Sequence, residues 1–350
     1  MSDRVSSIRK KEVHYSNFIK AVTRKGKPDY LPFYEHVASG GFMDARRKSA
    51  PGFTVSDDNL EKYVDTWVGM GFDVIPIEVA PSFPMPKVEH TPGALSRTSE
   101  ESVVFTCRED FEKYAWPDES NPFNSTVFEK AAKFLPEGIK LVAGAGGGPY
   151  EWAAKMMGTI GMSYLLADDP ELVGMIFQKI GAIHVACNRI LAQMDFVCAQ
   201  RQGDDLGFKT STFLPPHLLR AYVFPVYRKM AETAHQAGRP FILHSCGNLK
   251  DVYEDIIDCG VDAKHSFEET ILPVYDFKAA YGDRITPLGG LDVDFICRKS
   301  REEIREYTIK HIEKCFYDGH WALGTGNSLT NYMPVENYIT VLETAIEITG

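Results

Sequence analysis

Eight short apolar segments alternate along the chain with longer stretches whose apolar residues recur at helical spacing. Buried parallel strands read as short continuous apolar runs, and the helices that cover them show one apolar face. The predicted strands span residues 30–36, 72–78, 139–145, 195–201, 240–245, 261–266, 284–289 and 321–325. Their alternation with helical patterns predicts an α/β protein with the (β/α)8 TIM-barrel fold.

Several of the predicted helices carry recognisable start signals. Pro170 follows two aspartates and takes the first-turn position that proline tolerates in a helix. Ser300 and Glu303 have the spacing of a capping box, and Pro334 opens the last helical pattern. Pro225 lies inside the pattern that covers residues 216–238, and it predicts a kink or an interruption there.

Two regions depart from the alternation of strands and helices. Residues 1–28 have the pattern of an N-terminal helical extension. Residues 80–124 contain six prolines and are too long for a simple connection, so we expect an insertion after the second strand, over the barrel mouth. Because neither a Gly/Ser-rich linker nor a fixed-period repeat is visible, residues 1–350 are predicted to form a single TIM-barrel domain.

The composition is that of a globular protein, with 44% hydrophobic and 25% charged residues among 350. The net charge is −10 and no basic stripe is present, which argues against nucleic acid as a partner. The amino-terminal residues lack the apolar core of a secretory signal, and no apolar run reaches the length of a membrane span. The seven cysteines are scattered and odd in number, so we expect reduced thiols in a cytoplasmic protein.

Polar side chains occur at the carboxyl ends of the predicted strands. In a TIM barrel these ends converge at one mouth, where active sites lie. A single polar loop residue is usually solvated or caps a helix, whereas a ring of them in separate loops indicates a site. The ring comprises Glu35, His36, Glu78, Gln202, Asp204, Asp205, His244, Cys246, His265, Glu268, Asp292, Thr325 and Asn327.

His244 and Cys246 stand two residues apart at the end of the fifth predicted strand. Side chains at this spacing point to the same side, so a nitrogen and a sulfur ligand would converge there, which suits zinc. The alternative is a core histidine beside an inert buried cysteine. Catalytic zinc usually has three protein ligands. For the third ligand we expect Glu78 or His36, and then His265.

Five sequence blocks resemble the uroporphyrinogen decarboxylase superfamily, whose fold is the TIM barrel, and the resemblance covers most of the chain. The blocks lie at residues 203–207, 225–238, 244–248 and 288–292, and the last comprises residues 323–328 with 334–337. The decarboxylase branch carries an Arg-Gln-Ala-Gly-Arg-Tyr motif that grips substrate carboxylates, and this chain lacks it. The mouth loops are acidic instead, which disfavours a porphyrinogen with many carboxylates.

The other branch is similar to the corrinoid-linked methyltransferases, which hold zinc through a His-x-Cys motif and a cysteine on the last strand. His244 and Cys246 match this motif, whereas Thr325 stands in place of the last cysteine and Glu78 could complete the ligand set. The resemblance implies zinc-dependent transfer of a methyl group between a small substrate and the cobalt of a separate corrinoid (cobalamin) protein. The substrate would be a methyl ether or a thiol. Members of the superfamily often pair, so a homodimer is compatible with it.

The resemblance and the strand-end positions together predict roles for individual residues. Glu78, Asp205 and His265 are expected to act in catalysis, by ligating the metal or by moving a proton. The residues expected to contact the substrate are His36, Asn248, Asn327 and Tyr332. Two alternatives stay open: a decarboxylase-like lyase that acts on a carboxylated substrate, and a barrel that binds a ligand without turnover.

Overall fold

A parallel β-sheet forms the centre of the structure, a computed structural model that describes residues 7–48, 59–87 and 102–350. Its six strands follow one another in sequence order, and each pairs in parallel with the next. They are β1 (Val74–Val79), β2 (Lys140–Ala145), β3 (Val197–Gly203), β4 (Phe241–His244), β5 (Ala263–His265) and β6 (Thr286–Pro287). Sequential parallel strands confirm the α/β class that the alternating pattern predicts.

Helices occupy most of the remaining described residues. They are α1 (Ser16–Thr23), α2 (Gly40–Arg47), α3 (Leu60–Gly69), α4 (Arg108–Lys113), α5 (Thr126–Ala132), α6 (Pro149–Met157), α7 (Thr159–Asp168), α8 (Pro170–Leu191), α9 (Pro216–Tyr222), α10 (Phe224–Gln236), α11 (Tyr253–Asp258), α12 (Val274–Tyr281), α13 (Val293–Arg298), α14 (Arg301–Cys315) and α15 (Val335–Thr349). In the described part of the chain, none of these helices has both the length and the apolar character that crossing a bilayer requires.

The predicted start signals are found at the helix termini. Asp169 caps α8, accepting a hydrogen bond from the backbone N–H of Leu172 at 3.1 Å, and Pro170 is the first helical residue. The capping box at the start of α14 is formed as predicted. The pattern over residues 216–238 is divided between α9 and α10, and Pro225 lies in the first turn of α10, which explains the interruption.

The prediction of regular strands at residues 30–36 and 321–325 is wrong, because these segments form single β-bridges. Phe33 pairs with Leu323, and Ala322 pairs with Leu288 directly after β6. The two backbones approach closely, since a Cβ atom at Gly324 would lie 1.8 Å from the carbonyl oxygen of Tyr34. The two segments nevertheless continue the ring of strands beyond β6, which gives a TIM-barrel-like arrangement.

The amino-terminal ends of the strands are covered by α1. Its Phe18 and Val22 belong to a buried cluster with residues from the strands and the bridged segments, among them Tyr34, Val74 and Val142. The Oγ1 atom of Thr286 donates a hydrogen bond to the carbonyl oxygen of Ala21 at 3.1 Å. Since this end of the barrel is closed, access to the interior is left at the carboxyl ends of the strands.

The ends of the predicted insertion at residues 80–124 lie together. Pro81 and Phe123 form an antiparallel bridge, and α4 lies within this region. Phe83 and Phe105 are buried in the main apolar core, so the described part of the region packs against the barrel. Residues 88–101 of the predicted insertion lie outside the described residues, and the division of the chain into domains stays a prediction.

Candidate metal centre

Asp205, His244 and Cys246 bring three metal-ligating atoms within 4.8 Å of one another. The Nε2 atom of His244 lies 3.5 Å from Sγ of Cys246 and 3.6 Å from Oδ1 of Asp205. His244 is buried, whereas the side chain of Asp205 is 41% exposed, so the cluster is open to solvent on one side. Three protein ligands and one open side are typical of catalytic rather than structural zinc.

Two loops that pack closely against each other hold this cluster. His244 is the last residue of β4, and Cys246 follows two residues later, as the strand spacing predicts. The backbone N–H of Cys246 donates to Oδ1 of Asp205 at 2.9 Å. Gly247 has a φ of 85°, and a Cβ atom there would lie 2.2 Å from the carbonyl carbon of Gly207. Only glycine permits this approach, which brings the loop after β3 against Cys246.

A chain of hydrogen bonds determines which nitrogen of His244 carries a proton. The Nε2 atom of His265 lies 2.9 Å from the carbonyl oxygen of Thr325, which can only accept, so this nitrogen must be the donor. Burial lowers the pKa of His265 to about 3, so the ring is neutral and its Nδ1 is an acceptor. The Nδ1 atom of His244 lies 2.7 Å from that acceptor and therefore donates. Nε2 of His244 keeps a free lone pair, which faces Cys246 and Asp205.

This set of donor atoms fits a divalent metal ion. Burial holds the pKa of His244 well below its ordinary value, so the ring is neutral near pH 7. A nitrogen lone pair, a carboxylate oxygen and a sulfur then face one another, with the thiol hydrogen as the only proton on these three atoms. A cation between them would satisfy all three, and zinc accepts nitrogen, oxygen and sulfur ligands in a single site.

The comparisons with known proteins agree with this fold. Residues 98–348 match the family model of uroporphyrinogen decarboxylase (URO-D). The chain belongs to the uroporphyrinogen decarboxylase family. Among solved structures, a methyltransferase from Methanosarcina mazei is similar in fold, with a TM-score of 0.75 and 15% identity over 96% of this chain and 99% of that chain.

A second solved structure, a B12-independent methionine synthase from Shewanella sp. W3-18-1 in complex with selenomethionine, has a TM-score of only 0.41. Its identity to this chain is 14%, over 92% of this chain and 94% of that one. None of the curated proteins matches the sequence. The family assignment of this uroporphyrinogen decarboxylase member therefore rests on the sequence match over residues 98–348.

In this member of the uroporphyrinogen decarboxylase family, Glu78 is engaged in a separate ion pair. Its Oε1 lies 2.9 Å from Nη2 of Arg201 and 3.8 Å from Nε2 of His36. Burial raises the pKa of Glu78, and the charge of Arg201 opposes that rise. The His36 ring stacks on His244 with 3.7 Å between the ring centroids. The structure thus brings Asp205, rather than Glu78 or His36, to the other two ligand atoms.

The resemblance places Thr325 where the corrinoid-linked methyltransferases have a cysteine. Its Oγ1 and its backbone N–H each donate to the carboxylate of Glu35 at 2.7 Å, and Tyr338 donates to the same carboxylate at 2.8 Å. Burial raises the pKa of Glu35 to about 7. The side chain of Thr325 is therefore committed to Glu35, and its carbonyl oxygen contacts His265, the neighbour of His244.

The residues predicted to contact substrate lie in different surroundings. The Nδ2 atom of Asn327 lies 3.4 Å from Sγ of Cys246, directly beside the centre. Asn248 supports its own loop, since its Oδ1 accepts a hydrogen bond from the backbone N–H of Lys250 at 3.2 Å. Tyr332 is 69% exposed. Their predicted contacts with a substrate stay predictions, as does the predicted substrate contact of His36.

Two buried or half-buried charged residues near the centre escaped the sequence analysis. Lys264 in β5 is 1% exposed, and a lysine inside a predicted buried strand was the available signal. Glu151, in the first turn of α6, lines a cavity of about 320 Å³ together with Gly146 and Trp152. Burial, and then the nearby carboxylates, raise the pKa of Glu151 to about 8. No sequence motif marked this residue, because only the fold places it beside other acids.

The affinity for zinc is expected to rise with pH. Burial, with a smaller effect of Asp205, raises the pKa of the Cys246 thiol to about 12 in the metal-free protein. Because the thiol must lose its proton to bind the metal, the apparent association constant should increase about tenfold per pH unit from about pH 6 to 9. Competition with a fluorescent chelator at each pH measures this slope, and an indicator dye measures the released proton. A flat profile would contradict ligation by the thiol.

Proposed function

We propose that this chain is a zinc-dependent methyltransferase that moves a methyl group between a small methyl ether or thiol and the cobalt of a corrinoid protein. The observation that carries the proposal is the convergence of Asp205, His244 and Cys246 at the carboxyl ends of the strands, with one side open. Support also comes from the fold shared with the methyltransferase from Methanosarcina mazei. Zinc bound there would supply Lewis acidity, which stabilises the substrate sulfur or oxygen as an anion.

Three side chains of the protein have separate roles around the metal. His265 keeps His244 in the tautomer whose Nε2 can bind metal. Asn327 points its amide nitrogen at Cys246 and thereby limits the basicity of that sulfur. Asp205, which is partly exposed, is positioned both to ligate and to exchange a proton with solvent at Oδ2.

The bond changes balance without a further reactant. In demethylation, Co(I) gives an electron pair to the methyl carbon, and the carbon–oxygen or carbon–sulfur bond breaks with its pair left on the heteroatom. That anion is the species that a Lewis-acidic centre favours. In the reverse direction, a thiolate attacks the methyl group of methyl-Co(III) and returns Co(I). Either direction requires that the heteroatom reach the open side of the cluster.

The lyase alternative has less support from the site. Decarboxylation of a substrate with several carboxylates needs cationic side chains to bind them. Asp204, Asp205, Glu78 and Glu151 all lie at this end of the barrel, and the buried cation Arg201 is already paired with Glu78. The guanidinium of Arg201 is therefore not available to such a substrate, which disfavours binding of its carboxylates.

The experiment that tests the proposal follows the spectrum of cobalt. Zinc-loaded protein is mixed with free cob(I)alamin as the probe and with methylated candidates, an aryl methyl ether and a methyl thioether. We expect conversion of Co(I) to methyl-Co(III) that depends on zinc and is lost in Cys246→Ser. Cys297→Ser, a half-buried cysteine on α13, is the matched control and should retain the activity. Equal conversion by wild type and Cys246→Ser would contradict the proposal, and metal binding without any conversion would favour the binding-only alternative.

A further inference from the structure

Lys264 is a buried cation beside the candidate metal centre. It is 1% exposed, and its Nζ donates hydrogen bonds to the carbonyl oxygens of Ser245 at 3.2 Å and of Ser266 at 2.6 Å. The ammonium also lies 4.4 Å from the centroid of the Phe267 ring. Among the described residues, no carboxylate forms an ion pair with it. The two carbonyl oxygens and the aromatic face are neutral partners.

Such an arrangement costs free energy, because a charge removed from water is poorly compensated by neutral groups. Burial accordingly lowers the pKa of Lys264 to about 8. Negative charge on Cys246, Asp205 and Glu268 opposes this shift. A buried cation at this position is therefore best matched by negative charge on the metal centre.

The location of Lys264 links it directly to the ligands. Ser245, whose carbonyl oxygen it binds, lies between His244 and Cys246 in the chain. The hydroxyl of Ser266, the residue that provides the second carbonyl, lies 3.7 Å from Sγ of Cys246. The ammonium is thus buried beside the backbone that carries two of the ligands, and it is shielded from solvent.

The formal charge of the metal centre decides whether Lys264 affects the binding of a fourth ligand. A divalent ion with one thiolate and one carboxylate is neutral overall, so the positive charge of Lys264 interacts only weakly with that complex. An anionic fourth ligand, such as a substrate thiolate or alkoxide, makes the centre singly negative. A fixed positive charge in a low-dielectric surrounding then stabilises the complex.

We propose that Lys264 is a positioning residue that supplies the counter-charge for an anionic sulfur or oxygen ligand on the metal centre. The proposal rests on the proposed metal-dependent function and adds to it a reason why the centre prefers a thiolate or an alkoxide to a neutral ligand. A neutral fourth ligand, such as imidazole, does not gain from Lys264.

The test compares anionic and neutral probes on protein loaded with Co(II), whose absorption bands report the fourth ligand. Lys264→Gln removes the charge but keeps a hydrogen-bond donor for one of the two carbonyls. We expect this variant to bind 2-mercaptoethanol as thiolate about tenfold more weakly than wild type. Its affinity for imidazole should change by about twofold or less, and its affinity for Co(II) should not fall, because uptake of the dication makes the cluster less negative. Lys250→Met changes an exposed lysine in the loop after β4; it is the control and should match wild type with both probes.

The outcomes separate this inference from the proposed function. If wild type takes up no Co(II), both fail. If wild type takes up Co(II) but Lys264→Gln binds both probes as wild type does, only the role of Lys264 is refuted. Lys264→Arg keeps the charge and should retain the preference for thiolate. A folded Lys264→Arg that loses the preference as much as Lys264→Gln would show that shape, rather than charge, matters, and would overturn the proposal.

Discussion

Replacing Cys246 by serine should reduce the zinc content from about one ion per chain to less than about a tenth. The thiolate is the one sulfur donor of the cluster, and a serine hydroxyl stays protonated under the same conditions. The substitution is nearly isosteric, and the hydroxyl can still accept a hydrogen bond from Asn327, so folding should be preserved. Elemental analysis of protein purified without chelator measures the loss, and a thermal melt checks the fold.

The matched variant for this experiment is Cys297→Ser, which changes a half-buried cysteine away from the cluster. It should keep the zinc content of wild type. If Cys246→Ser retains the full zinc content while its melt is unchanged, the sulfur is not a ligand. In that case the three side chains do not form the proposed zinc site.

Asp205→Asn should mainly weaken zinc binding, whereas Glu78→Gln should mainly lower the stability of the fold. Asp205 lies in the cluster, and loss of its charge should weaken zinc binding by about a hundredfold, with little loss of stability because the side chain is partly exposed. Glu78 lies instead against Arg201, so Glu78→Gln should leave zinc affinity within about threefold of wild type. It should lower the free energy of unfolding by about 1–3 kcal/mol, because the buried guanidinium loses its counter-ion.

Competition with a fluorescent zinc chelator gives the affinities, and urea unfolding gives the stabilities. Loss of zinc in Glu78→Gln with full retention in Asp205→Asn would reverse the assignment of the third ligand. It would also mean that the acidic side chain chosen from the sequence binds the metal after a rearrangement of its pair with Arg201.

The sequence was most informative where a short spacing decides the geometry. His244 and Cys246 are two residues apart on one strand end, and the alternation of side chains along a strand places them together. Asp205 was expected to be catalytic, but its place as third ligand depends on the contact between Gly207 and Gly247. That contact joins two loops about forty residues apart, and no local pattern encodes it.

For the fold, too, local sequence patterns predict only part of the structure. Apolar runs identified the six strands, because burial on both faces requires them. They also suggested strands at residues 30–36 and 321–325, where the backbones form only single bridges. An apolar segment is predicted to be buried, but its apolar residues do not indicate how many backbone hydrogen bonds it forms with a neighbouring strand. The hydrogen bonds that join Thr325 to His265 and His265 to His244 likewise depend on the three-dimensional fold, and no sequence pattern predicts them.

X-ray absorption at the zinc edge tests the central claim most directly, because it reports the ligand atoms themselves. For zinc-loaded wild type, we predict one sulfur at about 2.3 Å and nitrogen or oxygen neighbours at about 2.0–2.1 Å, one of them with imidazole scattering. The sulfur shell should vanish in any zinc that Cys246→Ser still binds. A first shell of oxygen and nitrogen alone in the wild type would contradict the account.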